Sequence, residues 1–164
     1  MSNKESYIGI PNGVVLCIDE VLYEGRFQAR MYHGYRRDVV EVGSYEALIR
    51  EMGHLFDQMK YPWSAMRVRT FSDEESLPKP SPGRMGRKDR IMSDKELLSK
   101  HGDIGTFIIR VQQRQNSTWQ GRITWVEADK TMRFRSALEM IKLIESGIAA
   151  ETPDLVEEKD SSWD

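Results

Sequence analysis

Residues 105–148 read GTFIIRVQQRQNSTWQGRITWVEADKTMRFRSALEMIKLIESGI, and this stretch decides the fold. From Thr106 to Arg114 apolar and polar residues alternate, with Phe107, Ile109 and Val111 on one side, the period of a strand with one buried face. Gln115-Asn116-Ser117-Thr118 supplies turn chemistry. Trp119 to Glu127 reads as the returning strand, with Trp119, Ile123 and Trp125 inward. After Ala128-Asp129-Lys130-Thr131 a short strand is expected from Met132 to Arg135. The period then changes. Ser136 and Glu139 make a capping box, opening a helix to about Ile148. Its stripe is Ala137, Ile141, Ile144 and Ile148, widened by Leu138, Met140 and Leu143. A β-meander buries one face, and the helix that follows is its natural cover.

Working outward, the N-terminal half runs in the same order. Residues 13–20 read as a buried strand and Arg26 to His33 as an alternating one, with Phe27, Ala29 and Met31 opposite Arg26, Gln28, Arg30 and Tyr32. A third strand is expected at 37–42. Ser44 then caps a helix to about Lys60, striped by Tyr45, Leu48, Ile49, Met52, Leu55, Phe56 and Met59 and stopped by Tyr61-Pro62. A short strand is expected at 66–71. Residues 72–92 hold three Pro and two Gly without an apolar period, and read as a linker carrying the basic Arg84, Arg87, Lys88 and Arg90. Ser93 to Glu96 caps a short helix ended by Gly102.

The organisation is therefore a first βββα unit over 1–71, a linker with a short helix over 72–104, a second βββα unit over 105–150 and an acidic disordered tail over 151–164, within one compact domain overall. Tyr23-Glu24-Gly25-Arg26 stands where Trp119-Gln120-Gly121-Arg122 stands, and the Ser44 cap where the Ser136 cap stands. The expected fold class is α+β: two pseudo-repeated β-meander-plus-helix units, antiparallel in their sheet or sheets, with helices on one face.

The chain has 164 residues, long enough to hide roughly 68–70% of its unfolded surface. With Cys17 as its one cysteine it can build no disulfide framework. No apolar run approaches the ~20 residues of a membrane span, and the opening MSNKESYIGIPNG does not read as a signal peptide. A cytoplasmic protein without a membrane partner is expected. The near-neutral charge of −2 hides an asymmetry: the last fourteen residues sum to −5, which leaves +3 on residues 1–150. The tail reads as a solvated terminus; a sharper reading folds it over a basic surface as a competitor of an anionic ligand.

Alternation sends Arg110, Gln112, Arg114, Gln120, Arg122, Thr124, Arg133 and Arg135 to the face opposite the tryptophans, with Asn116 in the turn; Arg26 and Arg30 form the corresponding patch of the first half. Arginine's planar fork matches phosphate and carboxylate bidentately, and Gln and Thr add neutral hydrogen-bonding groups. Long nucleic acid is disfavoured as partner. The body carries only +3, and of the aromatics only Tyr32 points to this face.

The run Arg114-Gln115-Asn116, Trp119-Gln120-Gly121, Trp125 and Phe134 to Glu139 resembles small Firmicute-type bacterial proteins that share the pattern RQNxxWQGxxxW followed by FRSALE. The resemblance covers about the C-terminal third. It implies a bacterial intracellular protein and no particular activity. Arg110-x3-Arg114 with Asn116-x-Thr118-x2-Gly121 is similar to the two motifs of PilZ-type cyclic-dinucleotide domains. It departs from them in order and spacing, and in Thr118 where that family has Ser, so no role is carried over.

The case for catalysis is thin. His54 and Asp57 share a helix face without a third ligand placed by spacing, Cys17 reads as an inert core thiol, and Asp19-Glu20 as ordinary strand-end charges. No catalytic residue, metal or cofactor is expected. The expected function is non-enzymatic binding of an anionic small ligand, most plausibly a nucleotide, by Arg110, Gln112, Arg114, Asn116, Gln120, Arg122, Arg133, Arg135, Arg26 and Arg30. The alternative is a protein–protein adaptor or homo-oligomeric scaffold using the same face, for instance as a homodimer. A third reading is a hydrolase or nuclease.

Overall fold

Val14-Val15-Leu16-Cys17-Ile18 is buried on both sides, and an apolar run of this kind belongs at the centre of a sheet. In the computed structural model, which describes residues 8–23, 25–62, 71, 90–114 and 118–152, it opens β1 (Val14–Tyr23). The described elements continue as β2 (Arg26–His33), β3 (Val40–Ser44), α1 (Tyr45–Met59), α2 (Asp94–Leu98), β4 (Gly105–Gln113), β5 (Gln120–Trp125), β6 (Lys130–Phe134) and α3 (Ala137–Glu151). The fold is α+β, and the six strands make one sheet in the order β3-β2-β1-β4-β5-β6. Every pairing among these six strands is antiparallel, and β1 meets β4 from Val14 opposite Ile109 to Ile18 opposite Gly105.

One face of the sheet carries the main core. Val14, Leu16 and Ile18 of β1 join Phe27, Ala29 and Met31 of β2, Phe107, Ile109 and Val111 of β4, Ile123 of β5 and Phe134 of β6. Leu48, Met52, Leu55, Phe56 and Met59 of α1 and Met140, Ile144 and Ile148 of α3 close over them. Burial of this kind is worth about 25 cal/mol per Å² of apolar surface, and is the principal stabilising contribution here. Both long helices start as expected: Ser44 Oγ accepts from the Ala47 amide at 3.2 Å, and Ser136 Oγ from the Glu139 amide at 3.1 Å. In α3 the buried positions are Met140, Ile144, Gly147 and Ile148, so its stripe is rotated from the expected one: Leu138 is exposed, and Gly147 faces the Phe107 ring. A Cβ at position 147 would meet that ring at 2.7 Å.

The other face has a smaller core. Val15 and Cys17 of β1 and Ile108 of β4 pack with Ile8, Met92 and Leu97. Leu97 belongs to α2, so this helix lies opposite α1 and α3, and the expectation of helices on one face is corrected. The cause is in β1 and β4, whose outward residues here are apolar and need a cover of their own.

Strand limits also shift. β1 runs on to Tyr23, the third strand is Val40–Ser44 instead of 37–42, and β6 starts at Lys130. The expected strand at 66–71, save Phe71, lies outside the described residues, as do 72–89 of the linker, 153–164 of the tail, and Asn116. Among the described residues no helix is long and apolar enough to cross a membrane.

Candidate anion-binding site

Among the described residues, the small core of the second face includes none from β5 or β6. There the strand register sets Arg110 of β4 directly opposite Arg122 of β5, and Arg122 directly opposite Arg133 of β6. Three arginines thus form one row across three neighbouring strands. Adjacent strands lie about 4.8 Å apart, and like charges directly opposed repel.

The three are held differently. Arg110 is half-buried and anchored: its Nε donates to the Ile8 carbonyl at 2.7 Å and a terminal nitrogen donates to Thr124 Oγ1 at 2.8 Å. Burial, and then the neighbouring Arg122, pull its guanidinium below the ordinary arginine value, although arginine stays charged in proteins. Arg122 and Arg133 are exposed. Among the described residues the ion pairs are Arg30–Asp19, Arg90–Asp94, Arg114–Asp57 and Arg135–Glu139, and Arg122 and Arg133 enter none of them. The next positions along β5 and β6 on this face are Thr124 and Thr131, whose hydroxyls are 2.8 Å apart. Thr124 Oγ1 thus both accepts from Arg110 and shares a hydrogen bond with Thr131.

Gly121 secures this register. A Cβ there would collide with the Arg110 carbonyl oxygen and press on Phe134, so only glycine lets β5 come this close to β4. At the same place the pairing slips, from Val111 opposite Gly121 to Gln113 opposite Gln120, with an extra residue in β4. A bulge of this kind exchanges the two faces of a strand beyond it.

That slip decides the fate of Arg114. Alternation puts it in the arginine patch, but beyond the bulge it turns to the helix side and is buried. Its Nε donates to the Pro62 carbonyl and Nη1 to Asp57 Oδ1, both at 2.8 Å, and its guanidinium lies 5.5 Å from the centre of the Phe56 ring. The end of α1 presents these acceptors: Lys60 takes the left-handed conformation and the Tyr61 amide donates to the Phe56 carbonyl, which turns the chain back. Trp119 packs edge-on to Phe56. Arg114 is therefore a clasp between the β4 end and α1, and Asp57, which shares a helix face with His54, is its counter-ion.

The remaining candidates also separate. Arg30 is clasped by Asp19 through two bonds of 2.7 and 3.0 Å and donates further to the Tyr32 hydroxyl and the His101 carbonyl. Arg26 is exposed at the other end of β2, opposite Ser44. Arg135 leaves the strand and stands 3.5 Å from Glu139 one helical turn on. Gln112 is exposed at the bulge, and Gln120 is half-buried on the same side of β5 as Arg122. The row thus unites Arg110, Arg122 and Arg133, with Gln120 beside it. Thr131 was not foreseen as its neighbour; the signal available was its place two residues before Arg133.

Elsewhere on this face Tyr32 has cationic neighbours: Arg30 and Lys100 lie 5.7 and 5.3 Å from its ring centre. Cys17 is fully buried there, and burial pushes its thiol up to about 11, the opposite of a reactive thiolate. Among the described residues no three His, Cys, Asp or Glu side chains group as a metal site. Comparison with protein-family models, with curated proteins and with solved structures gives no match.

Proposed function

We propose that the chain is a non-enzymatic binding protein of the bacterial cytoplasm that holds an anionic small ligand, most simply a nucleotide, on the row Arg110–Arg122–Arg133. The observation that carries this reading is the register itself: three arginines stand directly opposite one another, two of them exposed and outside the ion pairs of the described residues. Such a row is costly when empty and favourable when an anion lies on it.

The same reading takes the two halves as copies of one unit. Ala29 opposite Val42 and Met31 opposite Val40 become Gly121 opposite Phe134 and Ile123 opposite Met132 on adding 92 to each number, and the same step carries the Ser44 cap to Ser136. It also carries Arg30 opposite Glu41 to Arg122 opposite Arg133. One copy thus has an arginine with an acid across from it, and the other an arginine with an arginine.

A thermal-shift screen of the full chain against mono-, di- and cyclic nucleotides and a short oligonucleotide tests the proposal. A ligand at 100 times its dissociation constant adds about 2.7 kcal/mol to the folded state. A selective shift that disappears in the double variant Arg122→Ala, Arg133→Ala is expected. A shift that survives in that variant, or a screen without any shift, overturns the site.

The adaptor or homo-oligomer reading draws on a different feature. Among the described residues β6 is an edge strand, and Met132 on it and Leu138 just beyond it are exposed. Sedimentation of the wild type and of Met132→Lys separates the two readings: an oligomer that dissociates in the variant favours the scaffold.

A further inference from the structure

We infer that β6 of one copy of the chain pairs with β3 of the next, so that the sheet continues from copy to copy. The inference rests on the homo-oligomer reading above and names its contact. Among the described residues β3 and β6 are the two edges of the sheet, and each is five residues long. An edge strand offers a row of backbone donors and acceptors to another chain. All five pairings inside the sheet are antiparallel, so β6 runs opposite to β3. A second copy set beside the first with its main core on the same side therefore brings β3 to β6 antiparallel, and core face continues core face.

Length and charge then choose one register. Matching all five residues sets Lys130 opposite Ser44 and Phe134 opposite Val40 of the next copy. Met132 falls opposite Val42 on the core side, and Arg133 opposite Glu41 on the outer side. Arg133 and Glu41 are both exposed, and neither enters the ion pairs of the described residues. Each edge also exposes an apolar side chain, Met132 on β6 and Val39 just before β3. The symmetric pairings lack this match. β6 on β6 in full register sets Arg133 diagonally across from Arg133, with an Arg122 behind each, and β3 on β3 does the same for Glu41. A head-to-tail contact leaves one β3 and one β6 free at the ends, so growth does not stop at two copies. The seam is short, so it forms at high protein concentration and leaves the dilute chain single. Arg133 serves both this contact and the proposed anion row, so an anion and a second copy exclude one another there.

Sedimentation velocity of the full chain at concentrations up to about 1 mM tests the contact. Wild type, Glu41→Arg, Arg133→Glu and an equimolar mixture of the two variants are run side by side. The wild type is expected to form species larger than a dimer that grow with concentration and shrink with salt. Each variant alone is expected to sediment as a single chain, because Glu41→Arg sets arginine across the seam from arginine and Arg133→Glu sets acid across from acid. The mixture is expected to reassemble, since each variant supplies the charge that the other lacks. Both positions are exposed, so neither change disturbs the core, and circular dichroism of each variant checks its fold. Variants that assemble as the wild type does, a mixture that stays apart, or a wild type that stops at a dimer each overturn the inference and leave the homo-oligomer reading standing. A wild type that is single at every concentration overturns both, and leaves the anion site to the thermal-shift screen.

Discussion

Two rows of side chains cross the outer face of the sheet, one in each half. In the first half Cys17, Arg30 and Glu41 stand opposite one another on β1, β2 and β3. In the second, Arg110, Arg122 and Arg133 do so on β4, β5 and β6. The first row is closed: Cys17 lies under the small core, and Arg30 is held by Asp19, by Tyr32 and by a carbonyl, with Glu41 across from it. The second row is open at Arg122 and Arg133, which are exposed and enter none of the ion pairs of the described residues, while Arg110 is anchored; its central arginine has an arginine on either side. The same kind of residue is ion-paired in one half and, at Arg122 and Arg133, exposed in the other. What separates the two is the neighbour that the register supplies, not the face to which alternation sends it.

The largest effect expected from disturbing this contrast is at the register itself. Gly121→Ala forces β5 away from the Arg110 carbonyl, which is backbone and has no free end to swing aside. Over-packing of this kind costs about 3 kcal/mol, read as a lower urea midpoint at unchanged slope. A variant as stable as the wild type would mean that β5 does not run so close to β4. Next comes Arg114. Its removal leaves the Pro62 carbonyl and Asp57 without their charged donor, at about 2 kcal/mol. Anion binding should be untouched, since the bulge has carried Arg114 to the helix side. Loss of binding with full stability would return Arg114 to the ligand site.

Most of the architecture is legible in the sequence. β2 has the expected limits, the Ser44 and Ser136 caps hold, and the inward residues of β4 and β5 follow from alternation, because period and capping are local properties. The site is less so. Arg114 was misplaced because one extra residue between Val111 and Gln113 reverses the faces of β4 beyond it, and a bulge has no signature in a stretch as even as Val111-Gln112-Gln113-Arg114. Arg30 belonged to the outer face as read, but its capture by Asp19 depends on the turn of β1 beyond Ile18 and on α2's neighbour His101, which are tertiary facts. The side taken by α2 follows from the apolar outward residues Val15, Cys17 and Ile108. They are in plain view in the sequence, but only a sheet order that sets β1 beside β4 turns them into a patch needing a lid.

The closed row also predicts a pH dependence. Two hydrogen bonds from Arg30 are the main reason that the Asp19 carboxyl is held below the usual carboxylate range; burial opposes this, and the Asp103 amide adds to it. A carboxyl lowered in the folded state contributes stability above its unfolded value of about 4, and that contribution is lost as the pH falls through the lower folded value. For a partly exposed pair it amounts to about 1 kcal/mol. Asp19→Asn should therefore be less stable than wild type by about that much at neutral pH, and the gap should close in acid. A gap that persists below the folded value would mean that Asp19 acts through something other than its charge.

The smallest effect carries the sign that separates the rows most cleanly. Arg133→Glu gives the second row the arrangement that Arg30 and Glu41 have in the first, an acid directly across from an arginine. If Arg122 and Arg133 repel one another in the free protein, the exchange stabilises it, by less than about 1 kcal/mol, since both side chains are exposed. Salt should erode the gain, because exposed charges are screened over about 10 Å at 0.1 M ionic strength. The same variant should lose anion binding, so stability and binding move in opposite directions, as they do when a charge is kept for a ligand and not for the fold. Urea unfolding at low and high salt measures the first, and the thermal shift produced by the nucleotides of the screen the second. A variant that is less stable at low salt would mean that the row already rests on an anion or an acidic neighbour in the free chain, and the open row would then be as closed as its counterpart.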